Sequence, residues 1–116
     1  MSVSSVYTVN FNDVHQNADT VVSFKLDGVN LAGQTMEMEI RDRSFVVQHT
    51  FVRNSTSGFI VTNEATGEFT FRIPKALAAT LKEGMYRHDL LLTDGLGNIQ
   101  RIWEGFLWVK KGITVL

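Results

Sequence analysis

The residues best suited to chemistry are three histidines, a histidine–aspartate neighbour pair and a pair of glutamates. His15, His49 and His88 show neither HxH nor HxxxH spacing, so a metal site would need them to converge from separate elements. His88-Asp89 could orient a serine nucleophile, but neighbours in a strand point to opposite faces. The serines form no GxSxG elbow. Glu37 and Glu39 fall on one strand face, about 7 Å apart by strand rise. Glycosidase chemistry needs two carboxyl groups facing each other across the scissile bond, so this pair reads as a solvated sheet face. The glycines are scattered, with no P-loop and no GxGxxG run. With no cysteine, disulfides and thiolate metal sites are excluded. The expectation is a non-enzymatic protein with no catalytic residue, no metal and no cofactor.

The elements around these residues repeat with a period of two. Met36, Met38 and Ile40 alternate with Glu37, Glu39 and Arg41, the pattern of a half-buried strand. Phe69, Phe71 and Ile73 alternate with Thr70 and Arg72, and Val22, Phe24 and Leu26 with Val21, Ser23 and Lys25. Runs rich in β-branched and aromatic residues predict about eight strands: Val6–Phe11, Thr20–Leu26, Gln34–Asp42, Phe45–Arg53, Phe59–Thr62, Glu68–Ile73, Tyr86–Thr93 and Ile99–Val109. Asp27-Gly28, Ala32-Gly33, Ser57-Gly58, Thr66-Gly67 and Asp94–Asn98 carry the turn chemistry between them, the last as a hairpin. Parallel βαβ units need intervening helices for which there is no room. The one helix-forming stretch, Pro74 to Gly84, predicts a helix of about two turns with Leu77 and Leu81 facing the sheets. Gly105, inside the last strand, marks a bulge or a close backbone approach. Tyr86, just after the helix, matches the placement of a tyrosine corner. The fold expected is all-β, an antiparallel sandwich or barrel with one short helix.

The chain of 116 residues has the size of one domain, taken here as 1–116, with residues 1–5 as an extended N-terminal arm. Its formal net charge of -1 argues against nucleic acid and anionic membranes as partners. The polar N-terminus does not read as a signal peptide, and no apolar stretch approaches the ~20 residues of a membrane span. The last strand is crowded with aromatics. Trp103, Gly105 and Leu107 should point one way and Glu104, Phe106 and Trp108 the other. One face feeds the core. The other is either covered by the helix or an interface, where Trp and Phe are enriched.

From about residue 20 onward the chain resembles a diffuse group of small phage and prophage virion proteins with an immunoglobulin-like β-sandwich. The resemblance rests on Leu31-Ala32-Gly33 opening an alternating strand that ends at Arg41-Asp42, and on Ile73-Pro74 leading to Leu81. It continues with Gly84, Tyr86, Asp89 and Leu90, then Gly97, Glu104, Gly105, Val109, Ile113 and Thr114. It implies a structural protein of the virion, made in the host cytoplasm and docked at a neck, tail, baseplate or capsid surface. Other virion proteins would be its partners, and it would be present in several copies or as a homo-oligomer. The contact residues expected are Trp108 and Phe106, with Val6, Tyr7 and Val9 of the arm. The alternative is a host-surface or carbohydrate-binding module, which needs an exposed Trp or Tyr beside polar groups in a shallow groove.

Overall fold

In a computed structural model, residues 6–112 are described, and the expected arm over 1–5 lies outside them. The strands run β1 (Tyr7–Thr8), β2 (Phe11–His15), β3 (Thr20–Lys25), β4 (Thr35–Arg41), β5 (Val47–Val52), β6 (Phe59–Asn63), β7 (Glu68–Ile73), β8 (Gly84–Thr93) and β9 (Ile99–Lys110). A single helical turn, α1 (Lys75–Ala78), precedes β8. The strands form a large sheet of order β1-β9-β8-β4-β5, with β2 also on β9, and a small sheet of order β3-β7-β6. The pairings are antiparallel except where β1 and β2 run parallel to β9. This is the strand order of an immunoglobulin-like sandwich. The small sheet corresponds to its B-E-D strands, and β5, β4, β8 and β9 to C′, C, F and G.

Alternation sets the core. Met36, Met38 and Ile40 of β4, Phe69, Phe71 and Ile73 of β7, and Leu90 and Leu92 of β8 are all buried between the sheets. Aromatic rings fill the centre. Trp103 of β9 packs on Phe24 and Phe69 at centroid distances of 4.7 and 5.9 Å, and Phe71 packs on Phe11, Phe51 and Phe59 at 5.1, 5.0 and 5.2 Å. Edge and tilted geometries dominate, as ring quadrupoles favour.

Local chemistry closes the corners. In the β8–β9 hairpin, Asp94 accepts backbone hydrogen bonds from Leu96 and Asn98 at 2.9 and 3.0 Å, with Gly97 at φ 85°. Tyr86 donates its hydroxyl to the Lys82 carbonyl at 2.5 Å, so it is a tyrosine corner as expected. Arg53 was not singled out by its sequence context. Its guanidinium donates to the Leu31 and Gln34 carbonyls at 2.5 and 2.7 Å and pairs with Glu64, tying three loops together.

Two expectations need correction. The helix is one turn and not two: the Thr80 hydroxyl bonds back to the Leu77 carbonyl, and Gln16 takes the Leu81 carbonyl. That leaves Leu81 buried at the corner without a second helical turn. The run Val6–Phe11 is two strands, because the chain crosses over Gly105 between them. An added Cβ at Gly105 would sit 1.9 Å from the Val9 carbonyl oxygen, so the glycine is there for close backbone approach.

Among the described residues, His88 is the one buried polar or charged residue, 5% exposed. Its Nε2 lies 3.2 Å from the Phe106 carbonyl oxygen, and its Nδ1 has no partner among the described residues. Burial holds its pKa below the ordinary histidine value, against the opposing pull of its backbone bonds to Phe106 and Val9 and of Asp89. Burial lowers His49 in the same direction. The fold therefore prefers neutral imidazole. This contribution to stability is whole above about pH 6.5, the unfolded value, and drains away as pH falls below it. The urea midpoint is expected to be flat from about pH 8 to 7 and to decline from about pH 6.5 downward. His88→Gln should remove most of that decline. An unchanged slope would show that the proton goes elsewhere.

Candidate functional site

The outer face of the large sheet collects what the two-residue period turns away from the core. The β4–β8 and β8–β9 registers arrange it in rows across the strands. Glu37, Leu91 and Arg101 form one row. Glu39, Asp89 and Glu104 form the next, and Arg41, Arg87 and Phe106 the one after. Met85 and Trp108 follow. A carboxylate row therefore lies beside a row of two arginines and a phenylalanine. These rows floor and wall a shallow groove of about 730 Å³, with Phe45 and Phe106 at its sides.

The aromatics here are held in place by the sheet. Phe106 and Trp108 are 39% and 40% exposed, and both project outward because Trp103 and Leu107 project inward. Phe45 is 58% exposed. It sits in the β4–β5 hairpin at φ 65°, an unusual conformation for a bulky residue. Asp42 holds that turn by accepting from the Ser44 and Val46 amides at 2.9 and 3.0 Å. Arg41 donates to the Phe45 carbonyl at 2.8 Å, and its guanidinium lies 5.2 Å from the Phe45 ring centroid. Backbone strain of this kind concentrates where a side chain must be presented.

Charges on the face are only partly matched within the chain. Arg41 pairs with Glu39 at 2.8 Å and Arg101 with Asp89 at 3.3 Å. Among the described residues, Arg87 and Glu104 make no ion pair.

The five expected contact residues do not form one patch. Phe106 and Trp108 share the outer face. Tyr7 registers with Trp103 and so lies on the other side of the sheet, 61% exposed at the rim of the sandwich. Val6 is exposed. Val9 is half-buried against the core, and its amide donates to the Glu104 carbonyl at 3.0 Å. Of the phenylalanines around the β4–β5 hairpin and β6, Phe45 is exposed while Phe51 and Phe59 are fully buried.

The residues first weighed for chemistry stay apart. His15, His49 and His88 lie on β2, β5 and β8, and among the described residues no group of three His, Cys, Asp or Glu side chains could hold a metal ion. His88 is buried while Asp89 looks out, so the pair cannot act together. Glu37 and Glu39 share the outer face without a facing partner across a cleft. No helix among the described residues is long and apolar enough to cross a membrane.

A second groove of about 440 Å³ lies at the end of the same face, lined by Trp108 with Asp42, Gln48, Glu83 and Tyr86. Its polar groups are largely engaged. Asp42 accepts from the hairpin amides and from Gln48, Glu83 accepts from the Lys111 amide at 3.1 Å, and Tyr86 donates to Lys82.

No protein-family model matches the chain, and no curated protein matches it. Among solved structures, the chain is similar to the fibronectin(III)-like modules of Clostridium thermocellum CbhA, with 9% identity over 93% of this chain and 94% of that chain, at a TM-score of 0.46.

Proposed function

We propose that this chain is a non-enzymatic docking module that takes its place among the proteins of a phage particle through the outer face of its large sheet. The observation that carries docking is the exposure of Phe45, Phe106 and Trp108 on one face, interleaved with arginines and carboxylates. Aromatics and Arg are the residues that anchor protein interfaces. The phage setting rests on the residue pattern described above, from Leu31-Ala32-Gly33 through Ile73-Pro74 to Gly105. Host-surface or glycan binding is the second reading. The Trp108 groove favours it, and the prior engagement of Asp42, Glu83 and Tyr86 weighs against it, since a sugar needs free hydrogen-bonding groups.

The test is incorporation. Wild-type protein is expected in purified particles by mass spectrometry, and the Phe106→Ala/Trp108→Ala double variant is expected to be depleted at least tenfold while its circular dichroism is unchanged, since an anchor residue is worth about 2 kcal/mol. Absence of the wild-type chain from particles, or equal incorporation of the variant, sinks this reading. A hit on a glycan array that Trp108→Ala abolishes would establish the second.

A further inference from the structure

The face described above is complementary to itself. We infer that the occupant of the outer face is a second copy of this chain, joined to the first about a two-fold axis that runs parallel to the sheet just above its outer face, across the strands and over β8 between Arg87 and Asp89. The inference rests on the docking reading and names the partner for that same face.

The argument is one of register. The row Glu39, Asp89, Glu104 and the row Arg41, Arg87, Phe106 are adjacent, about 6.8 Å apart by strand rise. A two-fold axis running across the strands midway between them reverses strand direction and keeps each strand over its own mate. Each acidic row then faces the other copy's basic row, and the reverse. Asp89 faces the second copy's Arg87, and Glu39 faces its Arg41. A two-fold interface is isologous, so each contact of this kind is made twice.

The two rows stand at similar height, each with exposed and half-buried members, so the match between copies is one of charge and register. Arg87, which makes no ion pair among the described residues, gains Asp89 of the second copy, and Glu104 comes to lie over the second copy's Phe106. An unrelated partner would need a matching pair of bands; a second copy already has them.

The face is modest. Four strands about 4.8 Å apart and four rows about 6.8 Å apart span on the order of 14 by 20 Å between outermost positions, small even for a transient interface. Banded charges mainly set register and on-rate. The expected dimer is reversible, with a Kd on the order of 10 µM, and weakens with salt.

Sedimentation of the full chain tests this with a charge swap. Wild type should associate to a dimer of the 13.0 kDa chain. Arg87→Glu alone sets Glu against Asp89 at both contacts, and Asp89→Arg alone sets two arginines together. Each is expected to weaken dimerisation about tenfold or more. An equimolar mixture of the two variants restores an acid–base pair at both contacts, and its affinity should return to near the wild-type value. Circular dichroism confirms that each variant folds. A monomeric wild type at concentrations well above the expected Kd overturns the inference. So do single variants that still dimerise, and so does a mixture that stays monomeric. If the wild type is monomeric yet particle incorporation still depends on Phe106 and Trp108, the docking reading survives and the second copy is eliminated as its partner.

Discussion

Trp103→Ala is expected to lower the free energy of unfolding by about 4 kcal/mol, the range for deleting a buried aromatic side chain. Trp103 is 1% exposed and its ring meets Phe24, Phe69, Phe59 and Phe11 at centroid distances of 4.7, 5.9, 6.4 and 6.3 Å. These partners come from β3, β7, β6 and β2, so one ring from the large sheet touches every strand of the small one and the N-terminal strand as well. Removing it opens a cavity that no single strand can collapse into, because each is fixed in a ladder. A domain of this size has a total stability of about 5–15 kcal/mol, so the loss is a large fraction of the whole. Urea denaturation measures it: the midpoint should fall with little change in slope. Trp103→Phe separates packing from polarity. The indole N–H has no partner among the described residues, and a buried unpaired donor costs about 1–3 kcal/mol. Phenylalanine loses ring area but relieves that cost, so it should fall much closer to wild type than alanine does. If phenylalanine is as damaging as alanine, the unpaired N–H is not a burden and the packing argument for Trp103 is incomplete.

The parts of this fold that a linear reading captures are those with an uninterrupted period. In β4, Met36, Met38 and Ile40 alternate with charged residues without a break, and all three are buried. The strand β2 is hidden for the opposite reason. Its inward residues, Phe11 and Val14, are three apart because the register with β9 shifts between them, and that spacing fits neither a strand nor a helix. The helical composition of 74–84 is real but local. Propensity is a weak prior once tertiary bonds compete: after Ala79 the backbone bonds tighten to i−3, from Thr80 to Leu77 and from Leu81 to Ala78, and Gln16 ties the Leu81 carbonyl to the corner. The outward pointing of Phe106 and Trp108 follows from the period and was legible. The carboxylate row was not: Glu39, Asp89 and Glu104 belong to three strands, and only the register between strands sets them side by side. Phe45 was equally opaque, since its presentation depends on a left-handed backbone angle that no phenylalanine announces.

Gly105→Ala is the more selective lesion, expected to cost about 2–3 kcal/mol by forcing a backbone shift in a packed strand. Gly105 is not held at a positive φ, so alanine has no difficulty with the local conformation, and the cost is steric alone. The new Cβ would lie 1.9 Å from the Val9 carbonyl oxygen, 2.8 Å from its carbon and 2.9 Å from the Asn10 Oδ1. Two of these three atoms are backbone, so no side-chain rotation relieves the clash, and the N-terminal segment must lift. Lifting it breaks the Val9 amide bond to Glu104 and the Asn10 bond to the Phe106 amide, both 3.0 Å. It also draws Phe11 away from the core. Hydrogen exchange should therefore show lost protection over β1 and β2, while β4 and β8 stay protected until global unfolding. Gly95→Ala is the control, because nothing lies within 4 Å of its Cβ position and a turn alanine there should be nearly neutral. If Gly105→Ala proves as stable as Gly95→Ala, or loses protection uniformly, then the crossing of the N-terminal segment over β9 is not what the glycine permits. With that crossing intact, β1 and β2 cover the β9 edge of the large sheet, which would otherwise be open to pairing with another chain. The same substitution should therefore also raise aggregation at high concentration, through the uncovered β9 edge and independently of the outer face.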